Sequence, residues 1–193
     1  MAKKLIIGIQ GDRGSTNERA ARLFSEKHGW PDYEIKYLIS TENVLRALNT
    51  GEIDYGTFAR ESRSGLVAET EAAIKKYAYE KIDEEKLQLD HALLASGGID
   101  KSKTVEVHSH PQALLEHGEF LKKEFSELKL IKEADTGGAA KDLSEGKYPK
   151  NSLVIASIVC AEMYGLNVYQ KDLPGNIGYW VKIYLAGKKD SCF

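Results

Sequence analysis

Val105-Glu106-Val107-His108-Ser109-His110-Pro111-Gln112-Ala113-Leu114-Leu115-Glu116-His117-Gly118-Glu119-Phe120-Leu121 changes periodicity part-way along. Val105 and Val107 alternate with Glu106 and His108, the period of two that marks a strand. Pro111 has a fixed φ and no N–H to leave unpaired, which suits the first turn of a helix. Leu114, Leu115, Gly118 and Leu121 then recur at helical spacing, and Ser109 is positioned to cap the helix. A strand that turns into a helix in this way brings unpaired backbone N–H groups, and the positive end of a helix dipole, to the carboxyl end of the strand. Such a place binds anions, carboxylates included.

Working outward, the same unit recurs. Leu5 to Ile9 is an apolar run typical of a buried parallel strand. Gln10-Gly11-Asp12-Arg13-Gly14-Ser15-Thr16-Asn17-Glu18 follows and leads into a helix with Ala20, Ala21, Leu23 and Phe24 as its apolar face. Ser15 and Glu18 have the spacing of a capping box. The Gly11-x-x-Gly14 spacing fits neither the dinucleotide nor the phosphate-loop pattern. Tyr33 to Ile39 reads as a strand, Ser40 to Leu48 as a helix closed by Gly51, and Ile53 to Phe58 as a strand. The βαβ rhythm predicts a parallel sheet. Ala59 to Gly65 reads as a polar loop at the sheet edge where ligands gather. Val67 to Ala78 reads as a helix, and charged Lys81 to Glu85 as a surface linker.

Beyond the linker, Leu87 to Ala95 reads as a strand. Leu128 to Ile131 is another, followed by a third Gly-containing turn at Thr136-Gly137-Gly138 and a helix stopped by Gly146. Leu153 to Ser157 is apolar, a helix through Met163 ends at Gly165, and Val168 to Gln170 and Tyr179 to Leu185 complete the strands. Met163 and Tyr164 are expected in the core, and His91 and His117 in structural roles. The sum is two α/β lobes with a break near residues 79–87 and a cleft suited to an acidic small molecule.

Composition narrows the function classes. The 193 residues carry a formal net charge of -2, which gives no reason to expect nucleic acid or an anionic membrane as partner. The two cysteines, Cys160 in an apolar helical run and Cys192 next to the C-terminal residue, form no disulfide framework, and no metal-ligand spacing is present. No signal-peptide or membrane-spanning run is seen. The expectation is a soluble cytoplasmic protein without cofactor or metal.

Several motifs in order carry a family resemblance. They are Gly11-x-x-Gly14-Ser15-x-x-Glu18-x-Ala20-Ala21, Gly51-x-x-Asp54-Tyr55-Gly56, His91-x-Leu93-Leu94, Ser109-His110-Pro111-Gln112-Ala113-Leu114, Thr136 with Ala139-Ala140, Ala156-Ser157 and Tyr164-Gly165-Leu166. Over nearly its whole length the chain resembles the catalytic domain of prephenate dehydratases. The resemblance implies a two-lobed α/β fold of the periplasmic-binding-protein kind (type II), with the ligand cleft between lobes. Lobe one would take about 1–80 plus 179–193 and lobe two about 86–178, with no regulatory domain. It also implies a lyase of phenylalanine biosynthesis acting on prephenate or a related cyclohexadienyl acid, and a homodimer or homotetramer.

Two departures bear on the chemistry. The family's Asn-x-Thr-Arg-Phe, whose Thr hydroxyl acts as the acid, is Asn176-Ile177-Gly178-Tyr179-Trp180 here. Its Pro-Ile-Glu-Asn-Ser loop is Ala59-Arg60-Glu61-Ser62-Arg63. Gly178 has no proton to donate, which turns attention to decarboxylation without aromatisation, the reaction of a relative branch of the family. The candidate catalytic residues are Glu61, Ser62 and Thr136. Candidate substrate-binding residues are Ser15, Thr16 and Asn17 from the first lobe, Arg60 and Arg63, Ser109 and His110, Gly137, and Asn176 with Tyr179. A non-catalytic binding protein for an aromatic or cyclohexadienyl carboxylic acid is the alternative, and a changed substrate the third reading.

Overall fold

The computed structural model describes residues 4–174 and 178–189. In chain order its elements are β1 (Leu5–Ile9), α1 (Thr16–Lys27), β2 (Tyr33–Tyr37), α2 (Thr41–Thr50), β3 (Tyr55–Ser62), β4 (Gly65–Leu66), α3 (Ala68–Ile74), β5 (Glu80–Gln88), β6 (His91–Ala95), β7 (Val105–Ser109), α4 (Pro111–Glu124), β8 (Leu128–Lys132), α5 (Thr136–Ser144), β9 (Ser152–Ser157), α6 (Val159–Tyr164), β10 (Asn167–Gln170) and β11 (Trp180–Gly187). They divide into two compact units. The first comprises residues 1–12, 16–87 and 180–193, and the second residues 13–15 and 88–179.

The first unit is built on a sheet of order β2-β1-β3-β11-β5, with β4 paired to β3. β1 lies parallel to β2 and β3, as the βαβ pattern predicts, but β11 runs antiparallel to β3. The sheet is therefore mixed, which corrects the all-parallel expectation. Helix α2 shows how sequence specifies a local element. The Ser40 hydroxyl caps its start by accepting from the Asn43 N–H, and Gly51 closes it in the left-handed conformation. Between these caps Val44, Leu45, Ala47 and Leu48 are fully buried, each large side chain contributing about 1.5–3 kcal/mol. In α1 the apolar face is Ala20, Ala21 and Phe24, and Leu23 is exposed.

Two segments expected to be loops are strands. Ala59 to Ser62 continue β3, paired with β11 and turned back through β4. The charged stretch at Lys81–Glu85 lies within β5, at the edge beside β11. A ladder forms through the backbone whatever the side chains are. Here the side chains assist, since Lys86 Nζ sits 3.9 Å from the Trp180 ring centroid and Lys81 Nζ lies 5.1 Å from that of Tyr184.

The second unit has a sheet of order β10-β6-β9-β7-β8. β7 is parallel to β8 and β9, while β6 is antiparallel to β9 and β10. β6 and β9 are buried along their whole length. One core groups Leu93, Val107, Leu114, Leu121, Phe125 and Ile155. Another groups Leu94, Ala139, Ala140, Leu143, Val154 and Cys160. Cys160 is buried as expected, whereas Met163 is exposed and Cys192 lies outside the described residues. Leu115, read as part of the apolar face of α4, is 72 % exposed. Among the described residues no helix is long and apolar enough to cross a membrane.

Candidate functional site

In the first unit a polar network joins the carboxyl ends of β1 and β3. The Gln10 carboxamide oxygen accepts from the Ala59 N–H at 2.8 Å and from Asn17 Nδ2 at 3.5 Å. Gln10 Nε2 donates to Glu69 at 3.2 Å, and the other Glu69 oxygen accepts from the Thr41 N–H. Asn17 is buried and Thr16 half-buried at the start of α1. Arg60 is not an open cation for a substrate carboxylate, because its guanidinium is ion-paired to Glu71. Glu61 pairs with Lys182 at 3.3 Å. The buried Ser62 hydroxyl oxygen accepts from the Ser64 N–H, and Arg63 is exposed in the turn that follows.

In the second unit the turn from β7 into α4 is built as the opening sequence implies, with one change of role. His110, not Ser109, is the cap, its Nδ1 accepting from the Gln112 N–H. That fixes the imidazole proton on Nε2. Ser109 is fully buried and donates its hydroxyl to the Ile155 carbonyl at 2.8 Å. Thr136 and Gly137 lie in the first turn of α5, where Asp135 Oδ2 already accepts from the Gly138 N–H at 2.7 Å. Ser15 belongs to this unit and not to the first, contrary to expectation. Its segment packs on the start of α5, where a Cβ built on Gly137 would come within 2.5 Å of the Arg13 carbonyl oxygen. Only glycine tolerates so close an approach. Tyr164 donates to that same carbonyl at 3.2 Å.

A third cluster escaped the sequence reading. His91 on β6 meets His117 on α4, with Nδ1 and Nε2 3.2 Å apart. Glu116 is the neighbouring residue on α4, with one oxygen accepting from Gln112 Nε2 at 2.9 Å. Burial pushes the Glu116 carboxyl up and the His117 imidazole down from their ordinary values. Twenty-six positions separate the two histidines, so no short spacing rule could join them; their placement on apolar faces of adjacent elements was the only signal.

The family model for prephenate dehydratase matches residues 7–178. The chain belongs to the prephenate dehydratase family. Arogenate dehydratase 2 of Petunia hybrida is 29 % identical over 173 residues, covering 88 % of this chain and 41 % of the relative. The chain spans about two fifths of the length of that relative and of the Arabidopsis thaliana and Escherichia coli ones. Among solved structures, the prephenate dehydratase of Arthrobacter aurescens in complex with L-Phe superposes with a TM-score of 0.78 at 18 % identity, covering 97 % of this chain and 61 % of that one. A periplasmic substrate-binding protein from Coxiella burnetii gives 0.55 at 16 % identity, over 96 % and 85 %. The α/β fold of the periplasmic-binding-protein kind that the resemblance implies is observed, with a mixed sheet in each unit.

Gly178, which the resemblance sets at the family's Thr position, has a φ of 77°, in the left-handed region that β-branched residues avoid. Tyr179 is half-buried, and its carbonyl accepts from the Leu89 N–H. Asn176 lies outside the described residues.

Proposed function

We propose that this chain is a lyase acting on prephenate or a closely related cyclohexadienyl acid, with a proton-delivery apparatus different from the family's Thr. Membership of the family across residues 7–178 supports the substrate class, and Gly178 carries the difference. In dehydration, the bond from ring carbon to carboxylate breaks, its electron pair moves into the ring and the hydroxyl leaves. The leaving oxygen needs a proton, and general acid catalysis is worth about two to four powers of ten. With φ of 77° at Gly178, the backbone is one that Thr would strain. Ser62, Thr16 and Tyr179 are the proposed replacements as acid. Otherwise the decarboxylation takes a proton onto a ring carbon and the hydroxyl stays.

The turn at Ser109 and His110 is the proposed carboxylate holder of the second unit, where the α4 dipole favours an anion. Thr136 and Gly137 stay in the proposed set, although the Asp135 carboxylate at the same helix start disfavours a second anion. Glu61 is proposed as a catalytic carboxylate, with Ser15, Asn17 and Asn176 as binding residues on the family resemblance, and Arg63 as a cation where the chain departs from the family; Arg60 is withdrawn by its pairing with Glu71. A cytoplasmic place in phenylalanine biosynthesis and a homo-oligomeric state follow from that same proposal.

The test is to mix the protein with prephenate at neutral pH and identify products by mass. Phenylpyruvate would show that another group replaces the Thr. A decarboxylated product retaining the hydroxyl would establish the non-aromatising reaction. A rise in melting temperature without product would favour the binding-protein reading, which Gly178 also supports, because ligand binding stabilises the native state whether or not it turns over.

A further inference from the structure

The cluster on β6 and α4 has the composition and spacing of a metal site. The candidate ligand atoms of His91, Glu116 and His117 all lie within 4.8 Å of one another. Two nitrogens bound at about 2.0–2.1 Å to one tetrahedral ion stand about 3.4 Å apart. The His91 Nδ1 to His117 Nε2 separation is 3.2 Å.

The surroundings orient the ligands. His117 Nδ1 faces the Pro174 carbonyl at 3.4 Å, and a carbonyl can only accept. The imidazole proton is thereby placed on Nδ1, and Nε2 presents its lone pair toward His91, the outer-shell arrangement that metal-binding histidines show. Glu116 is held likewise, one oxygen accepting from Gln112. Its other oxygen, Oε2, is buried and has no hydrogen-bond partner. Buried polar atoms are normally satisfied, and an orphan in a native structure calls for a missing partner such as an ion. A groove of about 510 Å³, lined in part by Glu116, Glu119, Lys123, Pro174 and Tyr179, lies beside the cluster on the Glu116 side.

We infer that His91, Glu116 and His117 form a binding site for one divalent transition-metal ion of the zinc class, with a further coordination position open to the groove beside Glu116. Two imidazoles and a carboxylate suit zinc, cobalt or nickel better than magnesium or calcium, which prefer oxygen. All three ligands and the groove lie in the second unit, so the site is complete within it. The Glu116 stem of two methylenes lets the carboxylate close onto the ion by side-chain rotation. The inference does not rest on the proposed lyase activity.

The experiment uses the whole chain, stripped with chelator and titrated with Co²⁺, followed by displacement with Zn²⁺ against a chromophoric competitor. The expected result is one Co²⁺ per chain with a visible d–d band that Zn²⁺ abolishes. Glu116→Gln and His117→Gln should each weaken Zn²⁺ by more than about 100-fold, beyond the loss typical of an outer-shell partner. His28→Ala should leave binding unchanged; this histidine contacts Asp83 in the first unit and reports adventitious surface binding. No stoichiometric band, or binding that survives Glu116→Gln or disappears in His28→Ala, would overturn the assignment and leave the histidines as a hydrogen-bonded pair. Should His117→Gln fail to fold, Glu116→Gln at a half-buried helical position decides alone, with circular dichroism to confirm its fold.

Discussion

The starts of α4 and α5 look alike in sequence and differ in charge. Both follow a strand in the second unit, and both read as cradles for an anion. At α4 the cap is an imidazole, which accepts from the Gln112 N–H and brings no negative charge. At α5 the cap is the Asp135 carboxylate. One helix start is capped without a negative charge, and the other already carries its anion. The lesson is that a strand–turn–helix pattern supplies a dipole, and the capping side chain decides whether any of it remains for a ligand.

The contrast can be broken by substitution. Gly137→Ala has the largest expected cost, about 1–3 kcal/mol in urea unfolding, because the new Cβ would press on the Arg13 carbonyl. A neutral result would mean that the α5 start is loosely packed and that its difference from α4 lies in charge alone. Asp135→Ala should cost about 0.5–2 kcal/mol, and Asp135→Asn much less, since the amide keeps the cap. Asp135→Asn should also raise any affinity of the chain for prephenate, measured by thermal shift; unchanged affinity would remove α5 from the proposed site. Ser109→Ala should cost about 1 kcal/mol by losing its bond to the Ile155 carbonyl. His110→Asn is the mildest for stability, within about 0.5 kcal/mol, because one capping acceptor replaces another. It should nevertheless weaken prephenate binding, and full retention would take His110 out of the proposed site.

How much was legible in the sequence follows from what each pattern encodes. The Val105–Leu121 stretch gave β7 and α4 because period and punctuation agree there, and Ser40 with Gly51 marked both ends of α2 for the same reason. β5 was missed because Glu80–Gln88 is charged, and what holds it is the pairing with β11 and cation–π contacts to Tyr184 and Trp180, supplied from a hundred residues away. The Ala59–Ser62 segment was read as a loop for the same cause. Arg60 looked like a substrate cation until Glu71 appeared opposite it. Ser15 was placed with the wrong unit because three residues within an apparently continuous turn belong to the other one. Pairings between distant residues leave no local trace.

The order of strands in the first sheet has a consequence for synthesis. β11, made after the whole of the second unit, lies between β3 and β5. Until residue 187 leaves the ribosome, β5 lacks the strand it pairs with, and β3, already paired with β1, lacks its second neighbour. Unpaired strand edges are templates for association with other chains. The second unit is drawn from residues that precede 180. A nascent chain of this protein therefore carries an open sheet edge while the second unit is being made, and the charged side chains along β5 are well suited to keeping that edge from finding the wrong partner.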